Sequence, residues 1–410
     1  MSAPGVAAER ELPAYRWVVL GLIMGVLTVA NIGPMGLPAL APLLRDDLAL
    51  SRQQAGSFLS AYYVGSLVMA FPAGWLADRL GVGRTMIIGQ GLVAAFLVLM
   101  ALTPSYPLLM LAVVLAGIGY GMVNPTSTKG VMIWFPARSR ATVVGLKQTG
   151  LPLGGALGAL LLPALAGPLG WRGAVAVSGA VVGASALAAL WLYGEPPRPE
   201  AAPGAPAERP SVRTVLANPS LWLVSCATLL FAAVQVAWIS YLSLYLQEVL
   251  GLSVVVAGFY LAQGQTTGTL GRIFFGILSD RLFGGRRRII LVLAGSLSGC
   301  LALLMTTVSA GTPGWALSLL ALGFGLVGIG WNGVQHALLA ELAGRESAGT
   351  AVGLGLAVSA LGVILGPPLF GLVVDRFGDY RWGWYSLAAG MALALALLAP
   401  VKESRRRVWE

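Results

Sequence analysis

The chain has 410 residues, of which 57% are hydrophobic and only 10% charged, and its formal net charge is +10. This composition lies far outside that of a soluble globular domain and predicts an integral membrane protein. The two cysteines, Cys226 and Cys300, both lie in apolar stretches. They indicate neither a disulfide framework nor a metal site, and we expect no cofactor.

Apolar stretches of the roughly 20 residues that a helix needs to cross a bilayer follow one another along nearly the whole chain. We predict an all-α membrane protein with twelve transmembrane helices, named spans 1 to 12 in chain order. They cover residues 16–43, 54–77, 84–103, 107–134, 141–166, 171–193, 219–247, 254–279, 288–309, 314–338, 348–374 and 382–401.

Arginine and lysine concentrate in alternate loops between the spans. Because basic residues favour the cytoplasmic side, this pattern predicts that both termini are cytoplasmic. The basic residues then contact lipid headgroups, which accounts for the net charge without nucleic acid. The polar start, 1–13, leads into an apolar stretch too long for a signal-peptide core, so we expect span 1 to be retained. We predict a monomeric multi-pass protein of a bacterial cytoplasmic membrane.

The chain divides into two similar halves. Residues 195–211 are rich in proline, alanine and charge, which predicts a linker rather than a packed segment. We predict a six-helix bundle at 1–194, a cytoplasmic linker at 195–218 and a second six-helix bundle at 219–410. A motif after span 2, Gly74-Trp-Leu-Ala-Asp78-Arg79, recurs after span 8 as Gly276-Ile-Leu-Ser-Asp280-Arg281. The repeat indicates two bundles related by an axis along the membrane normal.

The two motifs closely resemble the cytoplasmic loop motif of the major facilitator superfamily, which continues here to Arg84 and, with one inserted residue, to Arg286. The resemblance implies alternating access, with spans 1, 4, 7 and 10 lining a central cavity and spans 5 and 8 meeting between the halves. It also implies a gating role, through charge pairs that form in one state and break in the other. The residues concerned are Asp78, Arg79, Arg84, Asp280 and Arg281.

Three cations lie inside apolar spans: Lys129 in span 4, Lys147 in span 5 and Arg272 in span 8. None has a carboxylate at a helical neighbour position of its own span, and a charge at membrane depth normally faces a partner, a cavity or a substrate. With a rise of about 1.5 Å per residue, all three lie roughly 8–10 Å inside the cytoplasmic ends of their spans. We predict one cation layer that binds a small anion. Alternatively, the lysines extend to the headgroups.

Arg272 ends a polar stripe that begins at Gln265, and it lies eight residues before Asp280. This placement is similar to the span-8 arginine of oxalate/formate-type antiporters and related carboxylate porters. His336 could carry a proton or remain a neutral hydrogen-bonding group in the cavity. Other predicted binding residues are Tyr62 in span 2, Asn124 and Thr128 in span 4, and Asn332 and Gln335 in span 10. Span 7 offers a wall of Gln235, Trp238, Tyr241 and Tyr245, although aromatic residues are also common at membrane interfaces.

The middle of every predicted span lacks aspartate and glutamate, which disfavours the drug/proton and sugar/proton porters that depend on a buried carboxylate. We therefore predict a secondary active transporter of a small organic anion, a mono- or dicarboxylate, working by exchange or with a proton. Two alternatives are an exporter of drugs or neutral solutes and a transporter-like membrane sensor. We predict no enzymatic activity, because no nucleophile and base or metal cluster is found at cavity-facing positions.

Overall fold

The computed structural model describes residues 14–135, 140–194, 212–344 and 347–403, which form helices joined by short turns. The predicted spans recur as helices with small changes at their ends. Spans 1 to 4 are Tyr15–Leu48, Phe58–Leu80, Val82–Leu102 and Tyr106–Trp134, with a short helix, Arg52–Gly56, between spans 1 and 2. Spans 7, 8 and 9 are Pro219–Leu250, Val254–Arg281 and Arg287–Met305, and spans 11 and 12 are Ala348–Phe377 and Tyr380–Leu398.

Spans 5 and 6 are two helices that follow each other directly across a sharp kink. A short helix, Arg140–Gln148, precedes Gly150–Leu192, which has 43 residues. At about 1.5 Å per residue that helix would be about 65 Å long, twice the thickness of a bilayer core. Gly170 interrupts it with a φ of 68°, a conformation that glycine adopts without steric cost. The chain therefore crosses the membrane twice here, turning at Gly170.

Span 10 is divided by an unpredicted π-helical segment. Helices Gly314–Phe324 and Asn332–Ala343 flank the π-helix Gly325–Ile329. The segment packs closely on span 8, where a Cβ atom built on Gly271 would come 2.4 Å from the backbone carbonyl oxygen of Leu326. Widened turns of this kind are frequent at functional sites. This segment ends at the cavity residue Ile329 and is followed by the helix that carries Asn332 and His336.

Glycines let helices approach backbone to backbone in the same way in both halves. Cβ atoms built on Gly154 and Gly158 would each come 2.2 Å from carbonyl oxygens of span 1. In the second half, a Cβ atom on Gly362 of span 11 would come 2.0 Å from a carbonyl oxygen of span 7. Close packing through small residues is the main source of helix association in membranes. It holds spans 5 and 11 at equivalent places in the two halves.

Two apolar cores organise the described residues. One is built entirely from residues 19–189. The other comes mainly from residues 215–401 and also includes residues of spans 1, 2 and 5 and of the short helix between spans 1 and 2, so the second core extends across the contact between the halves. Most of the predicted linker lies outside the described residues. Its described end contains the helix Val212–Leu216, whose Val215 is buried in the second core, so this end of the linker is packed.

Candidate functional site

A narrow cavity lies between the two halves. Its volume is about 20 Å³, which is about the space that one water molecule requires. Four of its side chains are polar: Tyr63, Gln235, Gln265 and Arg272. The others are apolar: Met35, Leu59, Leu151, Pro152, Val236, Ile239 and Ile329. Residues of spans 1, 2 and 5 face residues of spans 7, 8 and 10, so a larger molecule enters this space only when the halves or the lining side chains move.

Arg272 is the cation of this cavity. Its Nη1 donates to the backbone carbonyl of Gln148 in the other half, at 3.4 Å. Its Nε is buried and has no hydrogen-bond partner in the described part of the chain, where Arg272 also has no ion pair. A guanidinium has five N–H donors, and its fork matches the geometry of a carboxylate. Arg272 therefore offers unused donors to an anion in the cavity.

Gln265 supplies a second unused donor on the same face of span 8. Its side chain is only 2% exposed, and its Nε2 is buried without a partner among the described residues. A Cβ atom built on Gly155 of span 5 would lie 2.3 Å from this Nε2, so the glycine makes room for the amide between the halves. An unpaired buried donor costs roughly 1–3 kcal/mol. A ligand rich in acceptors would remove this cost for Gln265 and Arg272 together.

Lys147 is fully buried but does not line the cavity. Its Nζ donates to the backbone carbonyl of Asn124 at 3.1 Å, to the Asn124 side-chain oxygen at 2.9 Å and to the Thr128 hydroxyl at 2.7 Å. The structure thus brings three predicted residues together, as a cluster within the first half. Lys147 and Arg272 remain near neighbours, because Arg272 contacts the residue that follows Lys147.

Lys129 forms an ion pair with Asp78, the carboxylate of the loop motif after span 2. The two side chains are 34% and 72% exposed, and neither lines the cavity. The prediction that Lys129 belongs to a layer of unpaired cations is therefore wrong. Depth along one helix could not show that a carboxylate of the neighbouring span lies within reach.

The predicted gating residues lie at this same end of the molecule. Asp280 pairs with Arg287 at 2.6 Å, and Arg287 also contacts Glu341 at 3.4 Å, all within the second half. Arg79 stacks on Trp75, with 4.0 Å between the guanidinium carbon and the ring centroid. Arg84 and Arg281 are exposed. In this conformation the motif carboxylates bind partners in their own halves, and their gating role stays a prediction.

The remaining predicted residues serve several structural purposes. Asn332 does not line the cavity, but it donates to the side-chain oxygen of the cavity residue Gln235 at 3.1 Å and helps to hold that side chain in place. Gln335 bonds Thr228 and Ser359, which joins spans 10, 7 and 11. His336 is half-buried in the helix Asn332–Ala343 of span 10.

The aromatic residues that were predicted to bind the substrate do not line the cavity. Trp238 is fully buried and stacks on Phe324, with the ring centroids 4.7 Å apart, and it does not line the cavity. Tyr62 packs against Tyr63 and Tyr120 and is also absent from the lining. Tyr63, which follows Tyr62 in the chain, reaches the cavity and was missed. Tyr245 donates to the backbone carbonyl of Met305.

A network of charges ties the halves together at the face opposite the loop motifs. Glu248 at the end of span 7 accepts from Arg45 Nη1 at 2.5 Å and from Arg52 Nε at 2.8 Å. Asp375 in span 11 accepts from the backbone N–H groups of Arg52 and Gln53 at 3.2 and 2.9 Å. We call Arg45, Arg52, Glu248 and Asp375 the interdomain clamp. Tyr241 reinforces it by donating to the Arg52 carbonyl at 3.0 Å.

The clamp was not predicted, because its partners lie far apart in sequence. Burial alone would lower the pKa of Arg52, but the hydrogen bond and charge of Glu248, together with Tyr380, outweigh it and raise the pKa. Within the described ranges, the side-chain ion pairs that join the two halves all belong to the clamp. The protein is therefore closed at the clamp face.

Two helical halves enclosing a cavity and joined by charge pairs at one face define a membrane transporter rather than an enzyme. The sequence matches the Major Facilitator Superfamily over residues 18–355, and the chain belongs to that family. It is 26% identical to a probable sulfoacetate transporter of Cupriavidus necator over 402 residues, covering 94% of this chain and 93% of the relative. It is 31% identical to the 3-(3-hydroxy-phenyl)propionate transporter of Escherichia coli over 376 residues, covering 88% of each.

A solved structure shares the fold. The inward-facing, unoccupied form of a bacterial homolog of the human lysosomal transporter Spinster superposes with a TM-score of 0.80. The match covers 94% of this chain and 96% of the other at 19% sequence identity. The chain is thus a multi-pass integral membrane protein with the all-helical fold of this superfamily.

Proposed function

We propose that this protein is a secondary active transporter of a small organic anion, which binds in the cavity at Arg272. The observation that carries the proposal is a cation between the two halves with free donors and no carboxylate partner in the described residues. A buried charge of this kind is costly unless an anion joins it. The names of the two relatives specify sulfoacetate, a dianion with a sulfonate and a carboxylate, and a hydroxyphenylpropionate, a monocarboxylate, and both support an organic anion.

The contacts also support alternating access. If both termini are cytoplasmic, as the basic loops predict, the clamp closes the outer face and the structure corresponds to an inward-facing state. Arg272 belongs to the second half and reaches the backbone of Gln148 in the first. An anion bound there would contact both halves, and its binding would favour the state that holds them together.

The coupling mode is either exchange of anions or transport with a proton, and His336, the one histidine of the sequence, is the candidate proton carrier. Uptake into proteoliposomes separates the two modes. Exchange requires anion inside the vesicle, whereas proton coupling requires a pH gradient and is lost in His336→Gln.

A thermal-shift screen of the purified protein tests the proposed function. The panel contains monocarboxylates, dicarboxylates, sulfonates, sugars and cationic drugs. An anion at 100 times its Kd should stabilise the protein by about 2.7 kcal/mol. This effect should disappear in Arg272→Gln and persist in the control Arg376→Gln, which removes an exposed arginine at the end of span 11. Stabilisation by cationic drugs alone would instead favour the exporter, and anion binding without flux would favour the sensor.

A further inference from the structure

We propose that the substrate is a monoanion with a mainly apolar body, in preference to a dianion or a polyhydroxylated acid. This inference rests on the proposed function and narrows its substrate class. It rests on three observations: the number of cations without an acidic partner, the hydrogen-bond donors that reach the cavity, and the apolar character of the remaining lining.

The three cations inside the spans differ in how many of their N–H donors and charges remain unpaired. An ammonium group has three N–H donors. Lys147 uses them on three acceptors, the two oxygens of Asn124 and the hydroxyl of Thr128. Lys129 is neutralised by Asp78. Arg272 alone of the three lines the cavity with an unsatisfied donor. The site therefore complements one negative charge.

The free donors form one binding end. Arg272 and Gln265 lie seven residues apart, on one face of span 8, and both line the cavity. A carboxylate or sulfonate can accept from the guanidinium through two oxygens and still bond the amide. The charged end of the ligand is thereby fixed at span 8, on the side of the cavity formed by the second half.

The remaining lining is poor in partners for hydroxyl groups. Outside span 8, Tyr63 and Gln235 are the polar lining side chains, and the Gln235 oxygen already accepts from Asn332, which leaves its amide N–H groups and the Tyr63 hydroxyl for ligand hydroxyl groups. The other lining residues are aliphatic side chains, a methionine and a proline. Each ligand hydroxyl buried against them without a partner should weaken binding roughly tenfold. A second carboxylate would meet the same wall with no cation and should weaken binding by more than about 100-fold.

Isothermal titration calorimetry of the full-length protein in detergent, with five matched probes, tests this inference. Hexanoate and 3-phenylpropionate are monoanions with apolar bodies. Adipate adds a second carboxylate to the six-carbon chain, gluconate adds five hydroxyl groups, and hexanamide removes the charge. We expect the two apolar monoanions to bind at least about 30-fold more tightly than adipate, gluconate and hexanamide.

The outcomes separate this inference from the proposed function. Adipate or gluconate binding within threefold of hexanoate, or more tightly, would overturn the monoanion inference and leave an organic-anion transporter in place. If hexanamide binds as well as hexanoate, or if no anion of the panel binds, the proposed function fails and the inference fails with it.

A change of specificity gives a second, independent test. Gln235→Lys places a second cation in the cavity lining, and Gln263→Lys places one on span 8 outside that lining. We expect Gln235→Lys to improve adipate binding relative to hexanoate at least tenfold and Gln263→Lys to leave the ratio unchanged. An unchanged ratio in a Gln235→Lys protein that melts cooperatively would contradict the argument from charge count.

Discussion

Glu248→Gln should open the clamp face. Glu248 is the acceptor shared by Arg45 and Arg52, and its side chain is only 15% exposed. Glutamine keeps the size and one acceptor oxygen but removes the charge. Arg52 then keeps only Asp375 as an ionic partner, with Nη1 3.9 Å from the carboxylate, and Arg45 keeps none among the described residues.

The size of the effect follows from the exposure of these groups. A hydrogen bond to a charged group contributes about 1.5–3 kcal/mol when buried, and an exposed ion pair about 0.2–1 kcal/mol. The clamp arginines are 29% and 26% exposed, so we assign about 1 kcal/mol to each of the two bonds. Removing the charge from both bonds, and the acceptor from one, should shift the equilibrium between closed and open clamp faces by up to about 2 kcal/mol, or about 30-fold.

Pulsed electron spin resonance can measure this shift. Spin labels would be attached to Leu102→Cys and Trp315→Cys, exposed positions of the two halves at the clamp face, after replacing Cys226 and Cys300 with serine. Glu248→Gln should increase the population at the longer distance. Asp47→Asn is the matched control, since Asp47 bonds Trp171 and Arg172 within the first half at the same face. Unchanged distances in Glu248→Gln, or equal changes in both variants, would refute the clamp as a gate.

Two further substitutions test the site and its support. Gly155→Ala brings a methyl group against the Gln265 amide and should weaken anion binding about tenfold in calorimetry. The melting temperature should change little, because the clash involves the end of a flexible side chain. Gly167→Ala, where the added methyl group has open space, is the control, and a loss of binding in both variants would contradict the role of Gln265. Asn124→Leu removes a side-chain acceptor from the buried Lys147 cation and should destabilise the protein by about 2 kcal/mol in chemical denaturation, but much less in a Lys147→Met background. Equal losses in the two backgrounds would show that Asn124 acts independently of Lys147.

The span pattern could be predicted because it depends on local properties: about 20 apolar residues per crossing, separated by turns rich in charge, glycine or proline. The π-helical segment 325–329 could not, since it depends on the contact between spans 8 and 10. Arg272, Gln265 and Gln235 were identifiable as polar residues in apolar helices, and all three line the cavity.

The predictions that were wrong or missing depend on contacts between different helices and on the rotation of each helix about its axis. Asp78 lies 51 residues from Lys129, and Glu248 lies 203 residues from Arg45, so neither pair shows in the pattern of one helix. Tyr62 and Tyr63 differ by one position, which rotates the side chain by about 100° around the helix. Trp238 and Tyr241, predicted to line the cavity, are buried in the packed interior instead, because sequence could not distinguish the packed interior from the cavity.

In the mechanism that we propose, Arg272 binds the anion. A structure of the protein with 3-(4-bromophenyl)propionate tests it most directly, because the anomalous signal of bromine locates the ligand. We expect a carboxylate within about 2.7–3.2 Å of the Arg272 guanidinium, with the bromophenyl ring against the apolar lining. Bromine density outside this cavity, or a carboxylate bound to Lys147 while Arg272 still contacts Gln148, would contradict it.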